Sequence, residues 1–336
     1  MRVVAVALGL ILLCGCTPAP KGLAPVAVSA VAETVPVGTS NLDAADDPSI
    51  WRNATDPSAS LIVATDKKAG LYVYGLDGRV RSFHNAGLVN NVDLLDMGDA
   101  GVIVVASDRN DIANAQLQIF RLNTQTAALD LLGKIAVASG EAYGLCLRRS
   151  DTDIIAFSVL KDGTIYESRI SIRAGQPKAT ALRIFKIPTQ TEGCVVDPRN
   201  GTLYVGEETA GIWRFVDGAS TGTLVSAVDN RYLVADVEGL ALVAEGENGG
   251  YLLASSQGDH AFAVFRLPEM TPAGRFRIIA DAYGAVEETD GIEAKTGDFG
   301  DNFPEGLFIA QDGNNAPQAQ NFKLVSWAAI KVALGL

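Results

Sequence analysis

The stretch DDPSIW at residues 46–51 joins two acids and a proline to a short apolar run. A second apolar run, LIVAT at residues 61–65, follows it, and an alternating run, GLYVY at residues 70–74, comes next. Runs of this length, separated by turn-forming residues, predict β-strands and not helices. The stretch therefore predicts an antiparallel unit with acids at the head of its first strand.

The same unit recurs along the chain, with successive copies roughly 45 to 50 residues apart. The repeated acidic heads are NNVDLL (90–95), EAYGLCL (141–147), EGCVV (192–196) and DVEGLAL (236–242). A sixth unit has two candidates, DGIE (290–293) and PEGLFI (304–309), as if a loop were inserted there. Three or four strands in about 48 residues is the size of one propeller blade. The sequence therefore predicts an all-β fold, a six-bladed β-propeller.

The position of the acids within each unit indicates where they meet. In a propeller the innermost strands of all blades begin at the same end of the central channel, so residues at their heads converge. A single Asp-Gly or Glu-Gly pair is equally typical of a simple turn. Because the acids recur in phase, we expect a ring of carboxylates at one face of the molecule.

Composition limits the class of protein. The chain has 336 residues, of which 48% are hydrophobic, enough for a packed core. Its 34 glycines and 13 prolines are scattered between apolar runs, which is typical of many turns joining many strands. A formal net charge of −12 argues against a nucleic-acid surface, which needs clustered Lys and Arg.

Residues 1–30 have the pattern of a signal peptide and tether. Arg2 precedes an apolar stretch at 3–13 that is short for a bilayer span. The run ending in Gly15-Cys16 resembles a bacterial lipobox, so we expect a lipid anchor at Cys16 to be the protein's membrane contact. A plain secretory cut after Ala30 is the rival. The pattern predicts an exported protein, an outer-membrane lipoprotein or a periplasmic or secreted one, with residues 31–336 as the propeller domain.

Two cysteines, Cys146 and Cys194, remain in the expected domain, each inside an apolar strand pattern. Two buried free thiols are the preferred interpretation. An oxidising compartment also permits a disulfide.

A carboxylate ring has consequences for cations. Facing carboxylates repel and raise one another's pKa unless cations lie between them. Oxygen ligands favour calcium or magnesium over zinc or copper, and the two histidines of the chain, His84 and His260, cannot build a three-histidine zinc site. Calcium is favoured because exported proteins meet it at high concentration and its loose geometry suits ligands from several blades. We therefore expect several calcium ions.

Basic residues follow the second strand of three successive units: Lys67 with Lys68, then Arg109, then Lys161. Each alone is typical of a solvated surface, but their matched positions predict an anion pocket beside the acids. Calcium next to Lys and Arg suits phosphate-ester hydrolysis, because the metal neutralises phosphate oxygens and lowers the pKa of a bound water. No covalent intermediate is then required.

The motifs DAADDPSIW (43–51) and NNVDL (90–94) resemble the two signatures of the β-propeller phytases, also called alkaline phytases or 3-phytases. The resemblance extends in order along residues 43–327. The further matching segments are 65–71, 142–144, 191–193, 206–208, 236–240, 251–258, 289–292, 306–313 and 321–323.

The resemblance implies calcium-dependent, stepwise removal of phosphate from phytate (inositol hexakisphosphate) or its calcium complex, by direct attack of a calcium-activated water. It implies these catalytic-calcium ligands: Asp46, Asp47, Glu192, Glu208, Asp236, Glu238 and Asp290. It implies supporting residues near the channel mouth, also candidate metal ligands: Asn90, Asn91 and Asp93. It implies these contacts to substrate: Lys67, Arg109, Tyr143, Lys161 and Gln257. Those expected to act most directly in catalysis are Asp46, Asp47, Glu192, Lys161 and Tyr143.

Two positions depart from the family pattern. Asp162 stands where the family often has Glu, which moves a carboxylate back by one methylene. The loop before Asp290 is shorter than usual, so a calcium ligand found there in the family is expected to be missing.

Two other functions share this architecture. Calcium lactonases and esterases on six-bladed propellers usually have an active site built around one calcium. They lack three basic side chains placed to bind phosphate. A tethered propeller that only binds a partner through its loops does not need in-phase acids and cations. A monomer is the default for a closed propeller.

Overall fold

The computed structural model describes residues 21–40 and 43–336. Two short strands come first, β1 (Val26–Ser29) and β2 (Ala32–Glu33). Blade 1 contains β3 (Ala45–Trp51), β4 (Leu61–Asp66), β5 (Gly70–Gly75) and β6 (Val80–His84). Blade 2 contains β7 (Val89–Asp96), β8 (Val102–Asp108), β9 (Asn114–Leu122) and β10 (Leu129–Ser139). Blade 3 contains β11 (Ala142–Ser150), β12 (Asp153–Leu160), β13 (Thr164–Arg173) and β14 (Gln176–Lys186).

The second half of the chain continues the pattern. Blade 4 contains β15 (Thr191–Val196), β16 (Leu203–Glu207), β17 (Gly211–Phe215) and β18 (Thr223–Ala227). Blade 5 contains β19 (Val237–Glu245), β20 (Gly249–Ser256), β21 (Ala261–Arg266) and β22 (Thr271–Ile279). Blade 6 contains β23 (Ile292–Thr296), β24 (Gly306–Asp312) and β25 (Asn321–Ser326), and the helix α1 (Trp327–Leu334) follows it. The six separate sheets confirm the predicted six-bladed β-propeller.

The core lies between blades. Six buried apolar clusters each draw side chains from two neighbouring blades, including blades 6 and 1. Phe262 of blade 5, for example, meets Phe308 of blade 6 with ring centroids 5.2 Å apart. Burying apolar area against both neighbours is the main stabilising contribution to such a ring.

The N-terminal strands complete two blades. β2 pairs antiparallel with β25 as the fourth strand of blade 6, and β1 pairs in parallel with β22 as a fifth strand of blade 5. The fully buried ammonium of Lys323 in β25 lies 2.7 Å from Glu33 of β2 and 3.0 Å from Asp312. Chain segments almost 300 residues apart are thereby joined.

This placement corrects the predicted domain boundary at residue 30. The backbone of Val26–Ser29 is hydrogen-bonded into blade 5, so the sheet structure begins before residue 31. The predicted boundary is too late. The Pro- and Ala-rich composition of the segment is typical of a tether, but Val26 pairs with Phe276, 250 residues away, and local composition does not reveal such a pairing. The predicted signal stretch and Cys16 lie outside the described residues. Within those residues, no helix is long and apolar enough to cross a membrane.

The prediction of two free thiols is wrong. Cys146 on β11 and Cys194 on β15 form a disulfide, with Cα atoms 5.8 Å apart. Both cysteines lie on inner strands of adjacent blades, and the close packing of β11 against β15 brings them together. The bond therefore joins blades 3 and 4 directly.

Replacing both cysteines by serine is expected to lower the free energy of unfolding by about 2–4 kcal/mol, because the crosslink restricts the unfolded chain. Thermal unfolding with and without a reductant measures the effect. The unreduced parent should melt well above the double variant, and reduction should bring the two together. A stabilising role would be contradicted if the parent had the same melting temperature with and without reductant, equal to that of the variant.

The heads of the inner strands share a distortion. Pairing shifts register at the second and third residues of β3, β7, β11, β15 and β19. Such bulges place two residues opposite one and redirect a side chain. Glycine occupies the second bulge position where blades come closest: a Cβ on Gly193 would lie 2.1 Å from the Glu238 carbonyl oxygen. The bulges thus bring neighbouring strand heads together.

Candidate active site

Two sets of matched positions surround the channel mouth. The inner ring contains the first bulge residue of each of blades 1–5 and its counterpart in blade 6: Asp46, Asn90, Tyr143, Glu192, Glu238 and Asp290. The outer ring contains the residue that follows the second strand of each blade: Lys67, Arg109, Lys161, Glu208, Gln257 and Gly313. Members of both rings line an open cavity of about 560 Å³.

The densest acidic group lies on the blade 4 and blade 5 side of this cavity. Glu192, Glu208 and Glu238 are buried, and each offers a carboxylate oxygen within 4.8 Å of the others. One oxygen each of Glu208 and Glu238 has no hydrogen-bond partner in the part of the chain that the structure describes. Buried carboxylates in this state are unfavourable unless they bind a proton or a cation.

The pKa values of these groups follow from that environment. Burial raises the pKa of Glu192 to about 7. Burial, together with the charges of Glu192 and Asp290, raises the pKa of Glu238 well above its usual range. Burial also raises the pKa of Glu208, and the nearby charge of Asp236 adds to the effect. The cluster is therefore built to hold positive charge.

Lys67 lies among the acids on the other side of the cavity. Its ammonium is 2.7 Å from Asp43 and 3.1 Å from both Asp46 and Asp290, and its side chain is only 9% exposed. Despite this proximity, neither oxygen of Asp46 accepts a well-aligned hydrogen bond from any described residue. Burial raises the pKa values of Asp46 and Asp290 to about 7. Lys67, predicted as a phosphate contact, is thus also the counter-charge of two predicted calcium ligands.

The predicted phosphate contacts on blades 2 and 3 form a group around Tyr143. The Arg109 guanidinium carbon lies 5.6 Å from the Tyr143 ring centroid, and the Lys161 ammonium lies 5.2 Å from it. Arg109 donates hydrogen bonds to Asn90 and Glu141. Burial and then the charge of Glu192 raise the pKa of Tyr143, so its hydroxyl keeps its proton near neutral pH.

The remaining predicted site residues occupy two levels. Gln257 donates to Asp290 Oδ1 at 2.8 Å, and Asn90 donates to Glu192 Oε1 at 2.5 Å, both at the cavity. Asp47 and Asn91 lie at the second bulge position and line the channel below. Asp47 Oδ2 accepts from the Val92 N–H at 3.0 Å, which ties blade 1 to blade 2.

The structure places Asp93 deeper in the channel, away from the inner ring. Its carboxylate accepts from the Leu147 N–H at 2.8 Å and from the Ser49 hydroxyl at 3.3 Å. Glu293 and Lys295 of blade 6 line the same channel cavity, of about 260 Å³. Sequence reasoning did not assign Glu293, although Glu293 and Lys295 are two residues apart in one strand, a spacing that places both on the same face.

The channel carboxylates make stability depend on pH. Burial raises the pKa of Glu293 to about 8 and that of Asp93 to about 6. A raised carboxylate pKa in the folded state means that stability is lost as pH rises from the unfolded value to the folded value. We therefore expect Glu293→Gln to raise the melting temperature by several degrees at pH 9 and by less at pH 5. Thermal unfolding at both pH values checks this, and equal shifts would contradict it.

Other residues at the cavity were not assigned from the sequence. Asp43, His260 and Glu288 line it, and His260 Nδ1 accepts from the Glu288 N–H at 3.1 Å. Asp43 precedes the acidic pair within the quoted motif and could have been found there. His260 and Glu288 lie on loops of blades 5 and 6, and no repeat signal marks them.

The fold and site define a six-bladed propeller with an acidic pocket bordered by the basic side chains of Lys67, Arg109 and Lys161. A family model for phytases matches residues 5–336. The 3-phytase of Bacillus subtilis (strain 168) is 34% identical over 329 residues, covering 92% of this chain and 85% of that protein.

These similarities show that the chain belongs to the phytase family, and it is a phosphoric monoester hydrolase. A chain in a crystal structure of the mitotic checkpoint complex is 11% identical, with a TM-score of 0.52 over 98% of this chain and 86% of that one. At that identity the likeness concerns the fold alone.

Proposed function

We propose that this protein releases inorganic phosphate from phytate with calcium held in the pocket of the inner and outer rings. The observation that carries the proposal is the group of buried carboxylate oxygens on Asp46, Glu208 and Glu238 that accept no hydrogen bond from the described residues, beside the cations of blades 1 to 3. The family membership and the 3-phytase relative support the same substrate.

The residues present fit calcium. Glu192, Glu208 and Glu238 offer oxygen ligands from blades 4 and 5, and Asp46, Asp236 and Asp290 add carboxylates around the same mouth. Such an all-oxygen set suits calcium, which accepts many oxygen ligands in flexible arrangements. Bound calcium would neutralise phosphate oxygens and lower the pKa of a water for attack on phosphorus.

The chain's own residues would orient the substrate. Lys161 and Arg109 both lie beside the Tyr143 ring and would pair with phosphate oxygens, and a guanidinium can do so with two parallel hydrogen bonds. The protonated Tyr143 hydroxyl would donate to the same group. Gln257 and Asn90 hold the carboxylates of Asp290 and Glu192 in place through amide hydrogen bonds.

We also propose export of the chain, as a lipoprotein anchored at Cys16 or as a periplasmic or secreted protein. The N-terminal pattern supports this, and so does the disulfide, because such bonds persist in oxidising compartments. In a closed ring every blade packs against two neighbours, which is consistent with a monomer.

The test is release of inorganic phosphate from phytate during a titration of calcium, from chelator-treated protein to several millimolar. We expect release that rises with calcium and disappears again with chelator. Release that is unaffected by chelator would refute the calcium role. No release at any calcium concentration would refute phytate as the substrate. Hydrolysis of a lactone by the same protein would then favour the lactonase hypothesis.

A further inference from the structure

Gln311 is a fully buried polar residue of β24 that has no assigned role. It lies opposite the head of the inner strand of blade 6, where the other blades have Thr65, Ser107, Val159, Gly206 and Ser255. Two of these equivalents also contact the next blade: Ser107 donates to the Tyr143 carbonyl at 2.7 Å and Ser255 to the Thr289 carbonyl at 2.8 Å. In blades 2 and 5 the position therefore joins adjacent strand heads.

The Gln311 amide joins the two blades that carry Asp46 and Asp290. Its Oε1 accepts from the Asp290 N–H at 2.8 Å, and its Nε2 donates to the Ala45 carbonyl at 3.0 Å. Its own backbone N–H donates to the Gly291 carbonyl at 3.0 Å, and the Gly291 N–H donates to the Asp46 carbonyl at 3.0 Å. One neutral side chain thus holds backbone groups at, or next to, both aspartates.

The contact needs an amide, which carries no charge and both accepts and donates a hydrogen bond. The Ala45 carbonyl that Gln311 satisfies is buried and the Asp290 N–H is partly buried, so loss of the amide would leave an acceptor and a donor without these partners. The strand heads could then move to find water or other partners. Because the carboxylates of Asp46 and Asp290 both lie 3.1 Å from the same ammonium, their separation depends on these backbone positions.

We propose that Gln311 is a positioning residue that fixes the spacing of Asp46 and Asp290 and so sets the calcium affinity of the pocket. This inference rests on the proposed function. It assigns no contact between Gln311 and the substrate. Loss of a group that orients metal ligands typically weakens metal binding about 10- to 100-fold.

The experiment compares Gln311→Met with the parent by calorimetric titration of calcium into chelator-treated protein. Methionine keeps the length of the side chain and removes both hydrogen bonds. We expect calcium binding at least about tenfold weaker, with a matching rise in the calcium needed for phosphate release. Turnover at saturating calcium should be affected much less.

Leu307→Ala is the matched control, because Leu307 is fully buried at the opposite end of the same strand. It should lower the melting temperature through lost packing and leave calcium affinity unchanged. Parent-like calcium affinity in Gln311→Met, or equal weakening in Leu307→Ala, would overturn the positioning role alone. A parent that binds no calcium would overturn both this role and the proposed function.

Discussion

Replacing Glu238 by glutamine is expected to lower phosphate release from phytate at least about a hundredfold, a loss of ~2.7 kcal/mol of transition-state stabilisation. Glu238 is one of the three carboxylates of the acidic cluster, and one of its oxygens has no hydrogen-bond partner within residues 21–40 and 43–336. Glutamine keeps the shape of the side chain and removes the charge that would hold a cation. The measurement is the rate at saturating phytate and several millimolar calcium.

The same substitution is expected to stabilise the protein in chelator. Burial and the charges of Glu192 and Asp290 raise the pKa of Glu238, so its ionised form destabilises the fold. With glutamine, the melting temperature in chelator should rise, most clearly above pH 7, and the additional rise on adding calcium should shrink. Glu245→Gln, at the far end of the same strand, is the control and should change neither quantity. Full activity together with an unchanged response to calcium would show that Glu238 holds no cation.

Replacing Lys67 by methionine is expected to destabilise chelator-treated protein by about 3–5 kcal/mol, because removing one partner leaves buried charges unpaired. The ammonium of Lys67 is within 3.1 Å of Asp46 and Asp290 and is almost fully buried. Calcium should restore part of the lost stability by supplying positive charge at the same carboxylates. Thermal unfolding with chelator and with calcium measures both effects.

Kinetics separate the second role of Lys67, as a phosphate contact. At saturating calcium, Lys67→Met should raise KM more than it lowers kcat, since a cation that binds substrate and transition state alike contributes uniform binding. Lys68→Met is the control because Lys68 is the adjacent cation and makes no ion pair with the acids among the described residues. An unchanged KM in Lys67→Met would rule out the substrate contact, and an unchanged melting temperature in chelator would rule out the counter-charge role.

Much of the fold and site could be predicted from residue order because both depend on a repeat. The acidic head of the 46–51 segment recurs at nearly constant spacing, and strand alternation is local, so blade number and the shared face of the heads follow directly. The family resemblance then supplied expected roles for those residues. The cavity brings together Glu192, Glu238 and Asp290, which lie about 50 residues apart along the chain.

The residues that were misplaced or missed depend on partners in other blades. The strand pattern of Val26–Ser29 has meaning only beside β22, and the disulfide of Cys146 depends on how closely blades 3 and 4 approach. Adjacent residues of one bulge point to different levels, so Asp47 lines the channel although Asp46 faces the cations. No sequence motif marks Gln311.

The number of blades, the in-phase acids and the cations that follow them could be predicted from residue order, because strand period and repeat spacing are properties of neighbouring residues. Only the folded ring shows which of those groups meet, that Lys67 is buried between two aspartates, and that one neutral amide hydrogen-bonds to the backbone at Asp290 and next to Asp46. Closing the ring sets these contacts, since it brings together side chains and backbone groups from distant segments at distances that no local pattern encodes.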